Sequence, residues 1–333
     1  MDRLTGRTQM EKERDINILV TGGAGVIGSS LVKKLSGQIT VTDNLSSSSS
    51  DPIADLIASN KVKFVRGDVR NLRLMKELTK DIDLVVHLAA NGDVRYSPEK
   101  GTKLDTMVNT VGTFNVLEAM RVNDVKKIIF SSSSSVYGRA SQIPTPETYG
   151  PLIPESLYAS SKIGAEALIL SFSKMFSFKA YIFRFANIVS SNFRKVGRNV
   201  IPDFVMKLKD NPKTLEVLGN GHQKKSYLYV DDCINGMLYA SAKSRRDIDI
   251  FNLANIDSIE VKEIAKIVIE EMGLVNTRIK YTGGEAGWLG DVPISILDIK
   301  KVTELGWTPK LNSMEAVRKS ARGIIRSISI RRS

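Results

Sequence analysis

The sequence predicts an α/β fold, a doubly wound and mostly parallel sheet with a smaller C-terminal lobe. Three features point to it. Short β-rich runs alternate with helical stretches through the first half of the 333 residues, a glycine cluster follows the first run, and the alternation breaks after Asn187. Such alternation implies right-handed βαβ units and a parallel sheet covered on both faces. The strand candidates are INILV (16–20), QITVTD (38–43), VKFVRGD (62–68), DLVVHLAA (83–90), KKIIFSS (126–132) and AYIFRF (180–185). Helices are expected over 26–35, 71–80, roughly 102–121 and 158–176. Beyond Asn187, VIPDFVMKLK, LEVLG, YLYVDDCINGMLYA and DIFNLA form a more irregular region, and no internal repeat is present.

Composition narrows the function classes. At 42% hydrophobic and 25% charged, the chain reads as an ordered globular protein. A single cysteine, Cys233, excludes an intramolecular disulfide framework, and two histidines exclude a histidine-rich metal site, so no metal is expected. No apolar run approaches the ~20 residues of a membrane span, and the first residues lack the apolar core of a signal peptide. These features lead us to expect a soluble cytoplasmic protein. The net charge of +12 raises the question of nucleic acid, but six basic residues fall within 316–333 and the rest are spread thinly. A solvated basic face is the simpler reading.

Two runs of five serines, 46–50 and 131–135, look at first like flexible spacers. Their addresses argue otherwise. One follows the second strand and the other ends the fifth, where ligands bind in an open parallel sheet.

TGGAGVIGSS (21–30) sits between a strand and an amphipathic helix, the context that gives a glycine pattern meaning. Small residues at Gly22 and Gly25 let backbone approach a pyrophosphate, Gly28 lets helix and sheet pack closely, and Val26 and Ile27 open the helix. Asp43 lies 21 positions after Gly22, where its carboxylate would accept the adenosine ribose hydroxyls and repel a 2′-phosphate. NAD is the cofactor expected, on a Rossmann-type domain, with Asn44 beside it.

YASSK places Tyr158 and Lys162 four apart on one helix face. A phenol titrates at about 10, and making it a base at neutral pH requires roughly 4 kcal/mol of differential stabilisation. A neighbouring ammonium and a positive nicotinamide ring both favour the phenolate.

Together with these features, DNLSS, GDVRN, HLAA, VNTVGTFNVLEA, SSSSSVYG, RFANIV, KSYLYVDD and GDVP make the sequence resemble the extended short-chain dehydrogenase/reductases. Within them it resembles the nucleotide-sugar 4-epimerases typified by UDP-glucose 4-epimerase, from about residue 17 to 309. The resemblance implies that Ser133, Tyr158 and Lys162 are catalytic. It implies that Asp68 and Val69 lie beside the adenine, that Leu88, Ala89 and Ala90 line the cofactor, and that Asn109 belongs to the same site. Asn187, Asn199, Val200, Lys225 and Asp291 would meet a nucleotide-diphosphate sugar. Lys225 and Ser226 replace the family's usual arginine and aspartate, and Ser190 and Ser191 its usual Gly-Pro. Ser134 and Ser135 stand where dehydratases carry Asp-Glu and where decarboxylases carry glutamate, which favours simple 4-epimerisation. Ser295 replaces a bulky tyrosine of some epimerases and leaves room for an N-acetyl group.

The division implied is an N-terminal tail (1–15), a mainly NAD-binding domain (16–187), a mainly nucleotide-sugar-binding lobe (188–328) with segments returning to the first, and a basic tail (329–333). A homodimer through the helices of VNTVGTFNVLEAM and YASSKIGAEALIL is also implied. The alternatives are a 4-ketoreductase, a different epimerase, or a non-catalytic NAD- or RNA-binding homologue. His87 reads as a satisfied core histidine, Cys233 as a small helix residue, and Asp231 and Asp232 as helix caps.

Overall fold

Alternation of buried β-branched strands with amphipathic helices builds one central sheet, seen in a computed structural model that describes residues 16–95, 101–191 and 199–330. Residues 1–15, and 331–333 of the basic tail, lie outside the described residues. In chain order the first six strands are β1 (Asn17–Thr21), β2 (Gln38–Asp43), β3 (Val62–Arg66), β4 (Leu84–His87), β5 (Lys127–Ser133) and β6 (Lys179–Phe185). The helices among them are α1 (Val26–Val32), α2 (Ala54–Ala58), α3 (Leu72–Leu78), α4 (Gly112–Val122) and α5 (Leu157–Phe176).

The remainder of the chain supplies β7 (Asn187–Val189), α6 (Val200–Asp210), β8 (Thr214–Val217), β9 (Lys224–Lys225), β10 (Tyr227–Tyr229), α7 (Val230–Lys243) and β11 (Ile248–Leu253). It ends with β12 (Ile259–Glu260), α8 (Val261–Glu271), β13 (Arg278–Tyr281), β14 (Ile294–Ser295), α9 (Lys300–Glu304) and α10 (Ser313–Ile330). The central sheet runs β11-β6-β5-β4-β1-β2-β3, every pair parallel. β11 comes from beyond the break in alternation and closes the sheet beside β6.

The order reverses between β1 and β4, and the crevice outside the carboxyl ends of these strands is where an open α/β sheet takes a ligand. The helix expected from residue 102 instead begins as a wider π-helical stretch, Thr106–Val111, that runs straight into α4. Such widened turns recur at functional sites. Here Asn109 lies buried within the stretch and bonds to Asn91 and Ser161. Three small sheets, β10-β7, β12-β9-β14 and β13-β8, stand beside the central sheet, and residues of the first two line a second cleft.

Candidate active site

The glycine loop is shaped by what a side chain would strike. Gly22 has φ +70°, and a Cβ there would stand 2.6 Å from the Ala89 nitrogen. Gly28 is equally closed, its missing Cβ facing the Gly22 carbonyl. At the end of β2 the Asp43 carboxylate accepts from Ala24 N at 3.1 Å, Leu45 N at 2.8 Å and Ser48 Oγ at 3.2 Å. The first serine run thus holds Asp43 against the glycine loop.

Gly22, Gly25, Val26, Ile27, Gly28, Leu88 and Ala90 line a cleft of about 330 Å³ that also reaches Tyr158 and Lys162. Ala89 sits beneath Gly22, its N–H donating to Thr21 Oγ1 at 3.3 Å. Asn44 donates to Asp68, whose carboxylate also takes a bidentate bond from Arg70 at 2.9 and 2.7 Å. That guanidinium holds the Asp68 carboxyl well below the usual range. Val69 is buried against Gly112, and Asn109 bonds its neighbours from outside the cleft lining.

Three serines of the second run reach three residues of α5. Lys162 Nζ donates to the Ser131 carbonyl at 2.8 Å, Ser132 Oγ donates to Glu166 at 2.5 Å, and Ser133 hydrogen-bonds Tyr158. Glu166 is locked to Arg184 at 3.0 and 2.7 Å, and Arg184 bonds on to the Tyr137 hydroxyl. Ser133 Oγ also accepts from Ser135 N and Ser135 Oγ.

Tyr158 is 9% exposed and Lys162 1%. Burial pushes the phenol up to about 12, with the Ser133 hydrogen bond opposing and Asp105 reinforcing the rise. Burial likewise draws Lys162 down to about 8, against the pull of Glu166. Desolvation therefore outweighs the Ser133 hydrogen bond, and a positive charge placed beside the phenol would favour the phenolate.

The second cleft, about 310 Å³, shares Gly92 and Asn199 with the first. Asn187, Asn199, Val200, Lys225 and Asp291 all line it, with Ser133, Ser134, Ser135 and Ser295. Asn199 caps α6 by accepting from Ile201 N at 3.3 Å. Lys225 Nζ meets the buried Asp291 carboxylate at 2.5 Å, and Gly287 N donates to the other oxygen at 2.9 Å. Ser226 is fully buried and bonded to Asn255.

Sequence reasoning missed Arg95 and Trp288 in this cleft, and Ser320 and Ile324 of α10 in the first. α10 comes close because Ser190 O accepts from Ser320 Oγ, Ser191 Oγ bonds Lys319 O, and Gly323 faces Ser191. The serines that replace Gly-Pro thus dock the last helix.

His87 is fully buried between Thr21 and Thr113 hydroxyls at 2.6 and 3.0 Å, and burial draws it down to about 3. Burial pushes the Cys233 thiol far up. Asp232 does not cap α7; its carboxylate accepts from Lys310 N and Leu311 N and tethers that loop. Asp231 instead pairs with Lys34 at 3.3 Å. Among the described residues there is no metal-binding cluster and no helix long and apolar enough to cross a membrane.

A model of the NAD dependent epimerase/dehydratase family matches residues 18–254. The chain belongs to that family. It is 32% identical over 308 residues to a putative UDP-glucose 4-epimerase of Methanocaldococcus jannaschii, covering 91% of this chain and 96% of that one. It is 29% identical to the human dTDP-D-glucose 4,6-dehydratase, covering 91% and 88% respectively. A crystal structure of a UDP-galactose 4-epimerase superposes with a TM-score of 0.83 at 36% identity, over 94% of this chain and all of that one.

NAD is accordingly the cofactor, and the first cleft fits it. The glycine cradle that any Cβ would fill, the Asp43 carboxylate beside it and the buried Tyr158–Lys162 pair lining the same cleft match the chemistry of a dinucleotide.

Proposed function

We propose that this family member is a nucleotide-sugar 4-epimerase acting on UDP-glucose and UDP-galactose, with the N-acetylated sugars as further candidates. The observation that carries the reading is the make-up of the catalytic corner. Tyr158, Lys162 and Ser133 lie together, while Ser134 and Ser135 line the sugar side where elimination chemistry needs carboxylates. Serine hydroxyls cannot act as acid and base for dehydration near neutral pH. The likeness to the M. jannaschii and UDP-galactose 4-epimerase relatives supports the same reading.

Gly22, Gly25 and Gly28 hold the pyrophosphate and Asp43 the adenosine ribose, while Lys162 holds the nicotinamide ribose. When bound, NAD supplies a reversible hydride acceptor for the sugar C4. Tyr158 Oη takes the proton of the sugar 4-hydroxyl and later returns it. The Ser133 hydroxyl bonds the same sugar oxygen, and the Lys162 ammonium, one helical turn away, favours the phenolate. Asn187, Asn199 and Lys225 tether the diphosphate while the 4-keto sugar presents its other face. Hydride restored to C4 on that face would invert the centre, while Tyr158 Oη gives the proton back to the 4-oxygen.

Residues 16–187 form mainly the cofactor domain and 188–328 mainly the sugar lobe, with β11 as the returning segment. Pairing of two copies through α4 and α5 would cover Phe114 and Met175, which are 41% and 72% exposed. A nucleic-acid role loses its support, because Arg318 and Arg322 are engaged by Glu270 and Glu271.

The test is to offer the purified protein UDP-glucose and UDP-galactose separately with NAD⁺ and follow the sugar by NMR. Interconversion in both directions without net NADH is expected. Net consumption of reduced cofactor would identify a ketoreductase instead. No turnover on a wide nucleotide-sugar panel, with NAD still bound, would overturn catalysis altogether.

A further inference from the structure

Two residues of the last helix border the cofactor cleft. Ser320 and Ile324, one turn apart on α10, line it together with the glycine loop, Ile188 and Ser190. They are 1% and 2% exposed, so α10 closes the cleft to solvent where they lie. Among the described residues that line the second cleft, none belongs to α10.

The sequence of α10 suits it to close docking. Ala316, Val317, Ser320, Ala321 and Ile324 recur at helical spacing and are all buried, while Arg318 and Arg322 pair with Glu270 and Glu271 of α8. On its buried side the helix meets the residues that follow β7. Ser320 Oγ donates to the Ser190 carbonyl at 2.7 Å, and Ser191 Oγ donates to the Lys319 carbonyl at 3.2 Å. With its one proton engaged there, the Ser191 hydroxyl accepts from Tyr229 Oη at 2.8 Å. Lys319 Nζ lies 4.0 Å from the centroid of the same tyrosine ring. Gly323 permits the approach: a Cβ there would stand 2.2 Å from Ser191 Cβ and 2.5 Å from Ser191 Oγ. Glycine weakens a helix interior, and here the close contact is what requires it.

Residues 187–191 thus have two attachments. They supply Ile188 and Ser190 to the cofactor cleft, and Lys319, Ser320 and Gly323 hold them from α10. We propose that α10 is a strap on the cofactor cleft, docked through Ser191 and Gly323, and that NAD leaves this protein only as fast as the strap undocks. A ligand of the second cleft can then come and go with the strap in place.

Exchange of bound NAD for isotope-labelled NAD⁺, followed in the NAD-loaded full-length protein, tests the strap. Gly323→Ala drives a methyl group into Ser191 and should speed exchange by about tenfold or more. Adding Ser191→Gly removes the Cβ and Oγ that the methyl strikes, and should bring the rate back toward that of Ser191→Gly alone. Ser191→Ala removes only the bridge between Tyr229 and Lys319 and should speed exchange by about three- to tenfold. Val302→Ala, buried on α9 and in the lining of neither cleft, is the control for lost stability. It should lower the unfolding temperature and leave the exchange rate unchanged. A wild-type rate in Gly323→Ala would overturn the strap, as would acceleration of equal size by Val302→Ala at the same loss of unfolding temperature. Exchange in the wild type within the mixing time would overturn it too. Should Gly323→Ala fail to fold, Ser191→Ala decides, since it adds no atom to the contact, and a wild-type rate there would sink the proposal.

Discussion

Ser132 Oγ and Glu166 Oε1 meet at 2.5 Å, one turn of α5 beyond Lys162, which itself grips the Ser131 carbonyl. With Ser133 on Tyr158, three consecutive strand residues are stitched to helix residues spaced four apart. The strand end and the helix that carries the catalytic pair therefore move as one body. Glu166 anchors this arrangement because its second partner, Arg184, lies on β6 and is itself buried.

Breaking that pair should be expensive. Glu166→Gln keeps an oxygen for Ser132 but leaves the buried Arg184 guanidinium without its counter-ion, and removing one member of a buried pair costs about 3–5 kcal/mol. A urea titration should show a loss of that size, partly recovered by adding Arg184→Met. Wild-type stability in the single variant would remove Glu166 from the scaffold of the site.

The buried ammonium sets a pH dependence of stability. Burial lowers Lys162 from 10.5 to about 8. Between those values the unfolded chain binds more protons than the folded one, so stability rises with pH from 8 to 10.5, and the penalty of burying the charge is fully present below 8. Lys162→Met removes the titration. The stability of NAD-stripped wild type relative to that variant should increase by about 3 kcal/mol across this window. A constant difference from pH 7 to 10 would mean that Lys162 is solvated in solution.

Cofactor choice should follow the charge of Asp43 rather than its shape. Asn at this position can still accept from Ala24 N or Leu45 N, but loses the repulsion that a carboxylate exerts on a 2′-phosphate. Asp43→Asn should narrow the preference for NAD over NADP by about tenfold or more, measured by competitive binding of the two cofactors. An unchanged ratio would move the discrimination elsewhere in the loop.

Much of this was legible in the sequence because it is local. A glycine that needs φ > 0 beside β4, an acid at a strand end and a Tyr–Lys pair one helical turn apart each leave a signature within a short window. Even the serine runs betrayed their function by position. What escaped depends on contacts across the chain. Arg95 meets Trp288 across 193 positions, and Ser320 reaches Ser190 across 130, so neither pair has a sequence spacing to read. The phenol's acidity escaped for a different reason: its neighbours were legible, but the desolvation that outweighs them is a property of the folded pocket.

The sugar that fits should be set by one small side chain. Ser295 pairs with Lys225 across β14 and β9 and lines the second cleft together with Ser133 and Asn199. A tyrosine there would project a ring into a space of about 310 Å³ that must also hold the diphosphate and the nucleoside. Ser295→Tyr should therefore reduce turnover of UDP-N-acetylglucosamine by about tenfold or more while sparing UDP-glucose, since the acetamido group alone needs the added room. Loss on both substrates alike would mean that the side chain blocks the cleft as a whole. Equal tolerance of both would mean that the N-acetyl group lies away from Ser295, and the choice of sugar would then rest with other residues lining the cleft, such as Gly92 and Asp93.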